Sequence, residues 1–315
     1  MIAFFANIFG YILNLIYEIV NNYGIAIILF SVLIKLLMLP ISIKQQKTMK
    51  KSTRIQQKMK EIQLKYKNNP EKLNQETIAL YQREKMSPFG GCFSGILQIL
   101  IILSVFWLVS QPLTYMIKTE KNEELNTIVQ EYKTEIEQEE KKSTYPEIQI
   151  ISKIEDDYKD ITNKLEQEEI ENREELEKQK ENLEKVKINM DFLGLDLSKV
   201  PNQNLNDWKV YIIPLLYVVT SFISIKLTTS IQNNKNKKKD IIVNEGKTEE
   251  DGALDSINQM NNSMTYMMPI MSISIAIIAP LGLALYWLVS NVLMIVERLI
   301  INKVMDSKED EEDAK

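Results

Sequence analysis

The amino-acid sequence predicts an all-α, polytopic membrane protein, on the evidence of its composition, its charge distribution and its long apolar stretches. Of its 315 residues, 45% are hydrophobic and 26% are charged, and the charged residues are gathered into blocks between charge-poor apolar runs. Such a division is typical of a chain shared between lipid and water. We expect five transmembrane helices with an N-terminal interfacial helix, a cytoplasmic helical hairpin and a long extracellular helical insertion.

Five stretches are predicted to cross the membrane. They are residues 23–43, 92–117, 208–227, 264–279 and 281–301. The first is interrupted only by Ser31, Lys35 and Ser42, and it is long enough to cross about 30 Å of hydrocarbon. Only Pro280 separates the last two, which must therefore form a tight hairpin.

Residues 1–20 are strongly apolar, but their polar residues share one helical face. Asn7, Asn14 and Glu18 recur at spacings of seven and four. This amphipathic pattern favours a helix lying in the membrane interface. A signal peptide is the competing interpretation, although no basic leading region and no small-residue cleavage site precede the next span. With no Cys near the start, an N-terminal lipid anchor is not expected.

Two basic segments indicate the orientation in the membrane. Residues 44–86 carry twelve Lys or Arg against four Glu, and the linker 228–262 contains the run KNKKK. Because basic flanks are retained on the cytoplasmic side, both segments and the tail 302–315 are expected inside, and the N-terminus outside. Asn69 followed by Pro70 is typical of a helix start, so the first basic segment is predicted to be a hairpin of two helices.

The connection 118–207 is long and acidic, with twenty-five Asp or Glu against fourteen Lys or Arg, and it is expected outside. Ile154, Tyr158, Ile161 and Leu165 keep a 4-3-4 spacing, which Leu176, Leu183 and Val186 partly resume. This apolar seam favours a helical hairpin or a short coiled coil, broken near Ser143–Pro146. A solvated, mostly disordered loop is the alternative that the thin seam leaves open.

Lys35 is the most informative residue of the sequence, because it lies near the middle of the first span. A charge at that depth costs about 2.5–3.5 kcal/mol even on the more lenient insertion scale. Snorkelling toward water is one way to lower this cost. A water-filled cavity open to the cytoplasm is the other, and Ser31 lies one turn away on the same face. We expect no acidic partner for Lys35 in the spans, which would leave its charge available to a transient ligand.

Other spans supply residues that would complete such a cavity. The expected polar lining comprises Ser31, Gln98, Tyr217, Thr220, Ser221, Ser224 and Asn291. An apolar surface for substrate helices is expected from Leu97, Met264, Met267, Met268, Met271 and Trp287. Each polar residue alone is also typical of contacts between helices, and the Met residues of an ordinary packed or lipid-facing stripe.

Composition also excludes several classes of function. The chain has no His and one Cys, so it lacks the commonest general base and any internal disulfide or multi-Cys metal site. We expect no enzyme, no cofactor and no metal. A transporter with Lys35 as its binding charge is a rival hypothesis, but the sequence shows no internal repeat of broken helices.

Four motifs resemble the YidC/Oxa/Alb family of membrane protein insertases. They are LIKLLMLPISIKQQK at 33–47, SPFGGCFSGILQILI at 87–101, FLGLDLSKVP at 192–201 and MMPIMSISIAIIAPLGLALYWLVSN at 267–291. The resemblance implies the Gram-positive type in a bacterial plasma membrane, with a hydrophilic groove that holds one positive charge. That position is Lys35 here, where most bacterial relatives have Arg.

The resemblance also implies a function and partners. The groove would admit polar segments of nascent membrane proteins and release their apolar helices into the bilayer. The Sec translocon and the ribosome are further candidate partners, with no sequence-specific nucleic acid. Contact with the ribosome or with anionic lipid headgroups is expected from Lys47, Lys50, Lys51 and Arg54. The tail, DSKEDEEDAK, departs from the family because it is acidic, and the 118–207 loop because of its length.

Overall fold

The computed structural model describes residues 1–67, 69–84, 92–138, 144–167, 172–237 and 274–313, which are mostly helical. The helices are α1 (Ile2–Val20), α2 (Tyr23–Lys65), α3 (Pro70–Arg83), α4 (Cys92–Ser110), α5 (Glu123–Gln138), α6 (Pro146–Leu165), α7 (Arg173–Val186), α8 (Ile212–Lys237) and α9 (Leu281–Asp313). A two-stranded antiparallel hairpin joins β1 (Asp191–Phe192) to β2 (Leu195–Asp196). Residues 274–278, near the end of the fourth predicted span, are helical, and residues 264–273 of that span lie outside the described residues.

Four helical segments of the described chain are long and apolar enough to cross a membrane. They are Ile2–Val20, Tyr23–Thr48, Trp208–Leu227 and Leu281–Val304. A fifth candidate is a broken pair, Ile99–Ser110 and Leu113–Lys121, bent by 93°. The straight helix expected over 92–117 therefore ends at Ser110. Pro112 explains the break, because proline has no backbone N–H to continue the helical ladder.

The segment after the first span forms two packed helices. α2 continues without interruption to Lys65, and α3 begins at Pro70 after Asn69. The Asn69 side chain accepts a hydrogen bond from the Lys72 backbone N–H at 3.1 Å. This is the helix start that the sequence indicates. Ile55 of α2 and Leu80 of α3 are buried, so the hairpin has its own small apolar seam.

The long acidic connection folds into helices α5, α6 and α7, which pack together. Ile154 and Ile161 of the predicted seam are buried, with Leu183 and Val186 of α7. α5 contributes further buried residues, among them Val129. The helical interpretation is thus confirmed, and the disordered alternative is wrong for the described part of the loop. The break expected near Ser143–Pro146 falls between α5 and α6, and the described part of the loop has a third helix because α6 and α7 are also separate.

Residues 189–199, named here the docking segment, bind the starts of two spanning helices. The Tyr23 backbone N–H donates to the Asn189 carbonyl at 3.0 Å. At the start of α9, the Leu281 and Gly282 N–H groups donate to the carbonyls of Lys199 and Leu197, both at 2.9 Å. Helix starts otherwise leave such N–H groups without partners. The docking segment therefore fixes α2 and α9 side by side at one end.

α1 packs against α4 and α2. The Ser104 hydroxyl of α4 donates to the Ile2 carbonyl at 3.2 Å, and the rings of Phe9 and Phe30 lie 5.9 Å apart. A Cβ at Gly10 would lie 2.0 Å from the Tyr115 carbonyl oxygen. Only glycine permits this approach. α1 thus has a packed face, and its other face is open to the surroundings.

The helices α5–α7 are joined to the spanning region through Glu147 at the start of α6. Its carboxylate accepts hydrogen bonds from the Thr114 backbone N–H at 3.1 Å and from the Thr114 hydroxyl at 2.6 Å. Burial raises the pKa of Glu147, and the two hydrogen bonds oppose this rise only in part. Folding therefore favours the protonated carboxyl, because the cost of burying the charge exceeds the gain from the two hydrogen bonds donated to the carboxylate.

We predict that G24A destabilises the fold and that G282A does not. A Cβ at Gly24 would lie 2.7 Å from the Phe192 Cβ, so the docking segment must shift, at about 1–3 kcal/mol. At Gly282 the nearest atom would be 3.5 Å away, an ordinary contact. Thermal unfolding of both variants in detergent tests this. F192A removes the ring but keeps the Cβ, so it should recover only part of the G24A loss; equal unfolding temperatures of G24A and G282A would contradict the packing argument.

We predict that stability falls as pH rises through the pKa of folded Glu147, because that pKa is raised above the unfolded value. The contribution is fully present below the unfolded value of about 4.5 and is lost above the folded one. E147Q should remove this component. Thermal unfolding of wild type and E147Q from acidic to neutral pH measures this component as the difference between their unfolding temperatures. A difference that does not change with pH would contradict the prediction.

Candidate functional site

The centre of the candidate site is an ion pair between two spanning helices. The Lys35 ammonium of α2 lies 2.7 Å from a carboxylate oxygen of Glu297 on α9. The Lys35 side chain is 29% exposed, whereas that of Glu297 is 7% exposed. One partner is therefore accessible and the other is almost enclosed.

The docking segment explains why these two residues meet. α2 and α9 both start against it, and Lys35 lies about 18 Å along its helix at about 1.5 Å per residue. Glu297 lies about 24 Å along α9 by the same rule. The flexible Lys side chain covers the difference. The pair thus forms at similar depth in two helices that run in the same direction.

The expectation that Lys35 has no acidic partner in the spans is wrong. Glu297 lies inside the predicted fifth span, 281–301, and was overlooked beside the cationic Arg298. The signal was present in the sequence, because two charges four and three residues before the end of an apolar span also require compensation. The Lys35 charge is therefore paired at rest, and a mechanism that rests on a free ammonium does not hold.

The pair leaves one polar atom over. The Oε1 atom of Glu297 is buried and makes no hydrogen bond within the part of the chain that the structure describes. Arg298, the next residue, is partly buried and has an interaction of its own. Ser31 is buried one turn from Lys35, and its hydroxyl donates to the Ile27 carbonyl at 2.7 Å. Two cations and one carboxylate thus give the site a net positive charge.

A second polar cluster joins α8 to α9. The Asn291 amide donates to the hydroxyls of Thr220 at 3.2 Å and Ser221 at 3.1 Å. Nearby, the rings of Tyr217 and Trp287 lie 6.2 Å apart. These three contacts bring together four residues of the expected polar lining and Trp287 of the expected apolar surface. Because they bond to one another, they act at least as contacts between the two helices.

The remaining predicted site residues are less tightly placed. Ser224 is buried on α8, Leu97 on α4 and Lys51 on α2 are half-buried, and Lys47 is exposed. The side chains of Gln98, Lys50, Arg54, Met264, Met267, Met268 and Met271 lie outside the described residues. Their expected roles stay predictions.

Several apolar helices of spanning length, with an ion pair and a polar cluster between them, define a polytopic α-helical membrane protein. A family model described as 60Kd inner membrane protein matches residues 15–309, and the chain belongs to this family. The family match confirms the resemblance to the YidC/Oxa/Alb insertases and supports a multi-pass bacterial membrane protein.

Curated relatives carry the name "Membrane protein insertase YidC". The protein of Caldanaerobacter subterraneus subsp. tengcongensis is 45% identical over 97 residues, which are 31% of this chain and 47% of that protein. That of Syntrophus aciditrophicus is 45% identical over 94 residues, 30% of this chain and 17% of that protein. The Francisella tularensis subsp. novicida protein is 37% identical over 109 residues, 35% of this chain and 20% of its own length. The matched region thus spans about half of the first relative and about a fifth of the others.

We predict strong energetic coupling between Lys35 and Glu297. K35M leaves a nearly enclosed carboxylate, and E297L leaves two neighbouring cations, so each single change should destabilise the protein. The double variant K35M/E297L should be more stable than the sum of the two losses implies, with a coupling energy of about 1–3 kcal/mol. A double-mutant cycle by chemical or thermal unfolding measures this.

The exposed pair Lys58–Glu84 of the α2–α3 hairpin provides the matched control. Its side chains are 54% and 28% exposed, and exposed pairs contribute at most about 1 kcal/mol. The cycle K58M/E84L should therefore give a smaller coupling energy. Equal values for the two cycles would mean that the Lys35–Glu297 pair is no better shielded from water than a surface pair.

Proposed function

We propose that the chain inserts other membrane proteins into the bacterial plasma membrane. The observation that carries the proposal is the Lys35–Glu297 ion pair between two spanning helices, in which the lysine is accessible and the carboxylate is nearly enclosed. The chain is also a member of the 60Kd inner membrane protein family. The names of the curated relatives support the same activity. No bond is made or broken in this function, so no catalytic residue is required.

In the proposed mechanism, an acidic residue of the substrate competes with Glu297 for the Lys35 ammonium. A polar segment that enters a membrane loses its hydration, and a carboxylate loses the most. Exchange of one carboxylate for another keeps the ammonium paired throughout. Arg298, beside Glu297, provides a second cation for the displaced carboxylate. The accessible side of Lys35 gives the substrate its entry.

The apolar part of the substrate takes a separate path. We propose that it slides along Leu97, Trp287 and the Met residues of the fourth predicted span toward lipid. The polar part would lie along Ser31, Gln98 and the hydroxyl groups of α8. For these to line a groove, the Asn291 contacts with Thr220 and Ser221 must open or leave a free hydroxyl edge. In this proposal the polar cluster joins α8 to α9 and also offers hydrogen-bonding groups to the polar part of the substrate.

The proposed orientation places the α2–α3 hairpin and the linker 228–262 in the cytoplasm, and α5–α7 outside. The hairpin exposes Lys47 on α2, and its basic charge suits anionic headgroups or a ribosome. Nascent membrane proteins are the proposed substrates, with the Sec translocon as a further partner. The acidic tail leaves the hairpin as the proposed contact for a ribosome.

We predict that loss of the Lys35 charge lowers insertion even in a variant that remains folded. In cells depleted of other insertases, K35R should support insertion of a small substrate with an acidic translocated segment, because it keeps the charge. The double variant K35M/E297L should insert this substrate poorly although it folds, because the substrate carboxylate has no ammonium to bind. Protease protection of the translocated segment measures insertion.

A substrate with its translocated Asp and Glu replaced by Asn and Gln provides the control, and it should depend less on Lys35. E297Q, which removes the competing charge, should insert the acidic substrate at least as well as wild type at equal protein level. If K35M/E297L inserts the acidic substrate normally, the pair has only a structural role and the competition mechanism is refuted.

A further inference from the structure

A groove separate from the Lys35 site lies between α1 and the turns that follow α4. Its volume is about 660 Å³, within the usual range for sites that hold a small ligand. On the α1 side it is lined by Phe4, Ile8 and Tyr11. Phe4 is 65% exposed and Tyr11 63% exposed. No chain segment within the described residues covers this apolar wall.

The opposite rim of the groove is charged. Lys118 and Lys121 line it, together with Glu120. The Lys118 ammonium lies 5.5 Å from the centre of the Tyr11 ring, a distance at which a cation is attracted to an aromatic face. Neither lysine forms a salt bridge with another described residue. The rim therefore offers two ammonium groups against one carboxylate.

The apolar wall and the charged rim of the groove lie at different depths, as the acyl chain and the headgroup of a lipid do. The Ser104–Ile2 hydrogen bond places the start of α1 six residues before the end of α4, about 9 Å deeper in the membrane. Phe4 and Ile8 therefore lie at the level of acyl chains. Lys118 and Lys121 follow the 93° bend beyond Ser110, and as charged residues after an apolar helix they are assigned to the interface. Apolar contacts and cations are thus arranged in the order of an acyl chain and its headgroup.

We infer that this groove binds a phospholipid with an anionic headgroup, taken from the leaflet on the side of α5–α7. The phosphate and any further headgroup charge contact Lys118 and Lys121, and one acyl chain lies along Phe4 and Ile8. A zwitterionic lipid of the same chain length gains the apolar contact but less of the electrostatic one. The open face of α1 is therefore part of a lipid-binding site that is distinct from the Lys35 site.

The test uses the purified full chain in detergent, titrated with dioleoyl phosphatidylglycerol or dioleoyl phosphatidylcholine, whose acyl chains are identical. Native mass spectrometry measures how much of each lipid is retained. Wild type should retain phosphatidylglycerol preferentially, and K118Q/K121Q should lower its affinity about tenfold or more. The control K133Q/K209Q removes two exposed charges elsewhere on the same side and should retain the wild-type preference.

Two further measurements decide the nature of the ligand. I8Q keeps both lysines and should lower phosphatidylglycerol retention, since it places an amide against the acyl chain; unchanged retention would overturn the proposed lipid-binding site. Inorganic phosphate should not displace the bound lipid, and displacement would assign the lysines to a free anion. Equal retention by K118Q/K121Q and wild type would also overturn the inference. Unfolding temperatures close to wild type establish that each variant is folded.

Discussion

The structure depends on one constraint: the docking segment holds the starts of α2 and α9 together at one end of the bundle. The carbonyl groups of Asn189, Leu197 and Lys199 take up N–H groups that a helix start leaves unsatisfied. With both starts fixed, the positions of residues further along each helix are set by helical rise alone. Lys35 and Glu297 meet because of this shared origin, although 262 positions separate them in the sequence.

The ion pair and the docking segment have complementary roles. A carboxylate and an ammonium in a low-dielectric setting are stable only together, since removal of one leaves an uncompensated charge. The docking segment brings them together without help from the pair, because its hydrogen bonds join backbone groups some 18–24 Å away along the helices. The arrangement of the two helices therefore does not depend on the ion pair alone. The Asn291 contacts join α8 to α9.

Much of this architecture could be predicted from the sequence, and the exceptions have a common physical cause. Apolar length, the Asn69–Pro70 helix start and the spacing of Ile154 and Ile161 are local signals, and each corresponds to an observed feature. Contacts between helices could not be predicted in the same way, because periodicity does not show which helix packs against a given face. The partner of Lys35 was missed for that reason, although a depth comparison with Glu297 would have suggested it. The bend at Pro112 was a local signal left unused.

The uninterrupted course of α2 has a mechanical consequence. Its 43 residues extend about 65 Å, from the docking segment to the tip of the α2–α3 hairpin. Pro40 lies five residues beyond Lys35 and leaves the Leu36 carbonyl without its helical donor. Because this backbone hydrogen bond is missing, α2 bends more easily at Pro40 than along its regular turns. A tilt of the hairpin is therefore expected to bend α2 first at Pro40, five residues beyond Lys35.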